Sequence, residues 1–165
     1  MTEEKENIQE TAAKEMSKEE LDKLIRRHVY TSMAVGLIPI PLADFAGVTL
    51  VQMNMLRVLA KKYSVPFSKG IVKNILSSLI GGAVPATLSA PLAASLSKLL
   101  PGIGTAAGVV TMPIIGGATT YAVGKVFAQH FASGGTFLTF DPQKVKDYYN
   151  EMFKEGRQVA ADIGK

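Results

Sequence analysis

The sequence predicts an all-α protein built of helical hairpins with Pro/Gly-rich apices, either membrane-associated or assembled as an oligomeric bundle. Three observations point there. Between Asn74 and Gly124 the only charge is Lys98, leaving uncharged runs of about 24 and 26 residues on either side. A helix that is apolar or small all round must be buried all round, and runs of this length are long enough to cross a bilayer core of roughly 30 Å. The second observation is punctuation: Gly36-Leu37-Ile38-Pro39-Ile40-Pro41 and Leu99-Leu100-Pro101-Gly102-Ile103-Gly104 interrupt apolar segments where a chain would turn back. The third is the placement of charge. Eight of the 14 acidic residues fall between Glu3 and Asp22, and Asp44 is the only one from Lys23 to Phe140, an interval holding ten Lys and Arg. The middle of the chain is thus basic and apolar together, which suits an anionic membrane surface. Basic residues interleaved with aromatics, as a nucleic-acid site would require, are not seen.

The chain divides into an acidic arm (1–16), an apolar helical domain (17–140) and a C-terminal amphipathic helix (141–165). The arm is polar and without strong periodicity, and is expected to be flexible. Ser17-Lys18-Glu19-Glu20 is a capping-box pattern, and Leu21, Ile25, His28 or Val29, and Met33 continue it at helical spacing to a stop near Gly36. After the apex at Pro39 and Pro41, a second helix is expected from about Leu42 to Lys62. A linker, 63–68, leads to a helix start at Ser68 and into the long apolar block. Its apex at Pro101, Gly102 and Gly104 would make a second hairpin, in plan a weak repeat of the first. Gly104, Gly108, Gly116 and Gly117 would let helices approach closely, Pro113 should kink the later arm, and Ser133-Gly134-Gly135 should end it. Asp141 and Pro142 read as N-cap and first residue of the last helix, whose apolar stripe is Val145, Tyr149, Met152 and Phe153.

No basic leader with an apolar run opens the sequence, from which a cytoplasmic origin is expected. Cysteine is absent, which excludes disulfides and thiolate metal sites. No GxxxxGK[ST] phosphate loop and no GxSxG elbow occurs. His28, His130 and Asp44 have no metal-ligand spacing.

The segments IRRHVYTSMAVGLIPIPLADFAGVTLVQMNMLRVLAKKYSVPFS, LLPGIGTAAG and YAVGKVFAQHFASGGTF resemble the bacterial family known as domain of unknown function 697, over about Leu21 to Phe137. Members occur as small proteins and as regions fused to Era-like P-loop GTPases, and several are membrane proteins. The resemblance implies a membrane-linked helical module working beside a GTPase, and it carries over no catalytic residues.

Candidate site residues are therefore of other kinds. Arg26, Arg27, Arg57, Lys61, Lys62, Lys69, Lys73 and Lys125 flank the apolar segments and form a basic set for lipid phosphates, or simply a solvated helix face. His28, Asp44 and Gln52 are polar positions in apolar surroundings. Asp44 either caps its helix, the preferred reading, or pairs with Arg26, Arg27 or His28 as a switch. Gln52, like Asn54, is expected to bond between helices. Two functions stay open: a non-catalytic membrane scaffold on the cytoplasmic side of the inner membrane, self-associating and acting with a GTPase in trans; or a soluble cytoplasmic protein that buries its small-residue hairpin by self-assembly. Neither requires a cofactor, and neither binds nucleic acid.

Overall fold

A computed structural model describes residues 16–38, 43–83 and 105–165, with side chains for 16–38, 46–79 and 112–165. Among these the chain is all-helical: α1 (Lys18–Val35), α2 (Ala43–Lys62), α3 (Lys69–Ala83), α4 (Thr105–Ala132) and α5 (Lys146–Ile163). The apices at Pro39 and Pro41 and at Pro101, Gly102 and Gly104 lie outside the described residues, as does the arm.

Local sequence explains most of the boundaries. The Ser17 hydroxyl accepts from the Glu20 amide while Glu20 accepts from the Ser17 amide, so two of the free donors at the start of α1 are satisfied. The end of α4 carries a reciprocal pair of carbonyl caps, from the Gly134 amide to the Phe131 carbonyl and from the Gly135 amide to the His130 carbonyl. Gly134 takes φ 82° to make that turn, a conformation nearly free of cost for glycine. Pro113 lies within α4, which continues through it. The start of α5 differs from expectation. Asp141 accepts from the Gln143 amide in a local turn, and the helix begins only at Lys146, behind an uncapped Val145. A short polar side chain two residues from its partner amide closes a turn as readily as it caps a helix. Phe137 and Phe140, buried in this connection, hold it against Phe127, with the Phe127 and Phe140 rings stacked at 4.4 Å.

Helix α4 is the axis of the bundle. It packs most extensively on α5 and α1 and also on α2, and every residue from 116 to 124 is buried. Most of the first arm of the second expected hairpin, like its apex, lies outside the described residues. Among the described residues α3 makes its helix contacts with α2 and α5. Of the two uncharged runs long enough to span a bilayer, the first lies largely outside the described residues and the second gains no support. No helix of the described residues is long and apolar enough to cross a membrane. Gly, Ala and Thr dilute α4, and its all-round apolar section is covered by its own chain.

Close packing against α4 depends on absent side chains. A Cβ on Gly156 of α5 would stand 2.9 Å from the Ala118 carbonyl oxygen and 3.0 Å from its Cα. Gly116 and Gly117 do the same toward the Ser32 carbonyl and Met33 of α1, at 3.3 and 2.9 Å. Backbone cannot yield as a side-chain tip can. Gly156→Ala is therefore expected to lower stability by about 1–3 kcal/mol, measured by chemical denaturation, despite the better helix propensity of alanine.

Candidate functional site

Two arrangements of polar groups stand out from this apolar framework. The first is a buried layer where α1, α2 and α4 meet. Ser32 and Thr120 share a 2.7 Å hydrogen bond, and the fully buried Gln52 amide donates to the Thr119 and Thr120 hydroxyls at 3.3 and 3.4 Å. Thr119 passes its own proton to the Gly116 carbonyl at 3.0 Å. Only the Gln52 carbonyl oxygen is left without a partner. One helical turn further along α1, His28 donates through Nδ1 to the Leu24 carbonyl at 2.8 Å, leaving Nε2 to accept from the Asn54 amide at 3.3 Å. That pattern requires the neutral ring. Burial holds its pKa below the ordinary 6.5; the Leu24 carbonyl works the other way, and the Arg27 charge adds to the lowering.

The second arrangement is an open cleft of about 790 Å³ between the start of α1 and the end of α2, lined by Asn54, Arg57, Lys61, Lys62 and Ser64, with Glu20 opposite. Of the basic set, the structure brings together Arg57, Lys61 and Lys62. Arg27, Lys69 and Lys73 are exposed elsewhere, and Arg26 lies near the Tyr121 phenol, whose ionisation it influences. Lys125 stands apart from the set: its ammonium pairs with Asp22 at 2.9 Å, joining α4 to α1, and sits 5.4 Å from the Tyr121 ring centre. The Tyr121 hydroxyl in turn donates to Glu155 on α5 at 2.6 Å. The backbone of Asp44 lies in the first turn of α2, and its side chain is outside the described residues. So are Gly104 and the surroundings of Gly108. His28 and His130 bond to separate partners, His130 Nε2–H donating to the Thr136 carbonyl at 2.9 Å, and no group of three or more metal-ligating side chains occurs among the described residues.

Exposed apolar residues complete the surface. Tyr30, Leu37, Ile38 and Leu50 are 54%, 60%, 45% and 61% accessible. Arg27, Tyr30 and Ala34 recur at three- and four-residue steps on α1, with Leu37 in the turn just beyond its end, as do Leu50, Asn54, Arg57 and Lys61 on α2, so each helix carries an exposed stripe. The α2 stripe is cationic at one end and apolar at the other, while that of α1 is apolar toward its C-terminal end and of mixed charge toward its start, where Lys23, Glu20 and Glu19 precede Arg27.

The model of the family described as Domain of unknown function (DUF697) matches residues 2–158. The chain belongs to this family. A DUF697 relative, Magnetosome membrane protein 22 of Magnetospirillum gryphiswaldense, is 35% identical over 142 residues, covering 86% of this chain and 73% of the relative. No solved structure matches the chain.

Sequence reasoning passed over Ser32, Thr119 and Thr120, whose hydroxyls look like helix-surface residues until three helices close on them. Ser64 was missed as well, although a serine directly after Lys-Lys-Tyr, where a helix ends and glycine is usual, was the available signal. Two outcomes follow for this DUF697 chain. Thr120→Val leaves the buried Ser32 hydroxyl and Gln52 amide short of a partner, and should cost about 1–3 kcal/mol in denaturant unfolding. On acidification the unfolded chain binds a proton at its histidine before the folded chain does. His28 therefore costs no stability well above pH 6.5 and removes it progressively as pH falls from there toward the lowered folded value. Comparing wild type with His28→Gln across that range should show a shallower acid limb in the variant.

Proposed function

We propose that this chain is a non-catalytic, membrane-associated helical module that lies on an anionic bilayer along the exposed stripes of α1 and α2. The observation that carries this reading is the pairing of apolar and cationic groups on those stripes. Tyr30, Leu37, Ile38 and Leu50 offer apolar area to the headgroup–acyl boundary, while Arg27, Arg57 and Lys61 stand on the same stripes at headgroup level. Each basic group near an anionic surface adds about 1 kcal/mol of attraction, so a few cations with a few apolar contacts suffice for reversible binding. Helices lying in the interface need no spanning length, in keeping with the described part of the chain. The name of the magnetosome relative as a membrane protein supports the same class of location.

The module acts as a scaffold, with self-association and a P-loop GTPase in trans as its proposed partners, on the cytoplasmic face of the inner membrane. Both histidine rings are committed to hydrogen bonds of the fold, which suits a role without acid–base chemistry.

Cell fractionation tests the reading. The untagged protein should sediment with membranes, and Leu37→Glu with Leu50→Glu should shift most of it to the supernatant while leaving its thermal melting close to that of wild type, since both side chains are exposed. Recovery of the wild-type protein in the soluble fraction as a large particle would overturn attachment and favour self-assembly as the function.

A further inference from the structure

We infer that the cleft between α1 and α2 is a site for one phosphate monoester dianion, of the kind carried by a phosphomonoester lipid headgroup; in naming a lipid it rests on the membrane reading above. The argument begins with charge. Among the described residues, Arg57, Lys61 and Lys62 line the cleft against the single carboxylate of Glu20, leaving two positive charges to be balanced. That excess matches a dianion and exceeds what a phosphodiester brings. The carboxylate is also engaged, since it accepts from the Ser17 amide at 3.2 Å in the capping box. The partial negative charge at the C-terminus of α2 would oppose an anion, but the cleft also borders the N-terminus of α1, whose partial positive charge offsets it.

Donor geometry adds to charge. Arg57 brings a planar fork able to engage two phosphate oxygens at once. The Asn54 amide gives one N–H to His28 and keeps another. Ser64 is the most telling member. The end of α2 is capped by the same reciprocal motif as the end of α4, with the Ser64 amide donating to the Lys61 carbonyl and the Val65 amide to the Ala60 carbonyl. In α4 the residue at the left-handed position is glycine; in α2 it is Ser64, at φ 55°. A residue with a Cβ is disfavoured there. Such a cost persists where the residue has a use, and Ser64, which lines the cleft, brings a hydroxyl that glycine would lack.

The test uses the full chain and compares binding to phosphatidylcholine vesicles doped with phosphatidic acid, a monoester, and with phosphatidylglycerol, a diester, at matched surface charge. Wild type should prefer phosphatidic acid about tenfold, the discrimination that one well-made pair of charge-assisted hydrogen bonds supplies. Arg57→Lys, which keeps the charge and loses the fork, should bring the ratio of the two affinities close to one. Ser64→Gly should lower the ratio while raising the melting temperature, a combination that a purely structural serine would not produce. A ratio of one in wild type, with both vesicles bound, would overturn the phosphate site and leave the membrane reading standing. Binding to neither vesicle, with glycerol 3-phosphate nonetheless shifting the Asn54 side-chain and Ser64 amide NMR signals, would keep the site, assign it to a soluble phosphoester and overturn the membrane reading. No response to vesicles or to glycerol 3-phosphate would remove both.

Discussion

Close approach of backbones to α4 is the constraint from which the remaining structure follows. A helix with little side-chain bulk can be contacted on several sides at short distance: backbone comes close at Gly116 and Gly156, and side chains of α1, α2 and α5 seat against Gly117 and Gly124. Dispersion falls off steeply with separation, so short interaxial distances recover in many small contacts what the missing large side chains would have provided. The bulky residues gather instead around Phe127, where Phe67, Phe131, Phe137 and Phe140 close the end of the bundle.

This division of labour explains why the same composition can suggest a bilayer. A helix buried by lipid and a helix buried by its own chain both need an uncharged circumference, and small residues serve both. Length and mean hydropathy separate the two cases, and in α4 the interspersed Gly, Ala and Thr lower the hydropathy. What faces outward in the α1–α2 pair is a different surface, with charge and apolar area segregated along each helix.

Legibility in the sequence followed the range of the interaction. Features written within four residues were readable: the Ser17 capping box, the Gly134 stop and the Tyr149, Met152 and Phe153 stripe of α5. Asp141 marks the limit of such reading, since its carboxylate served a turn where a cap was equally consistent with the spacing. Helix pairing was less readable. Nothing local distinguishes α4 against α3 from α4 against α5, because the complementarity lies between Gly156 and Ala118, far apart in the chain. The cleft was half legible. Arg57 and Lys61 announce a common face by their spacing, whereas Glu20 and Ser64 join them only through tertiary structure and a strained turn.

The hydrogen bond between Ser32 and Thr120 has a mechanical meaning beyond its energy. The α4 face is built of small residues, and against it α1 sets Ile25 at Gly124 and Met33 at Gly117. A slip by one turn, about 5.4 Å, would carry Ile25 and Met33 off these glycines and strand hydroxyls and an amide in a dry interior. The polar layer thus acts, together with the glycine spaces, as a detent that sets the register of the interface. A pull or push applied at one end of α1 would be transmitted to α4 as to a single rigid strut.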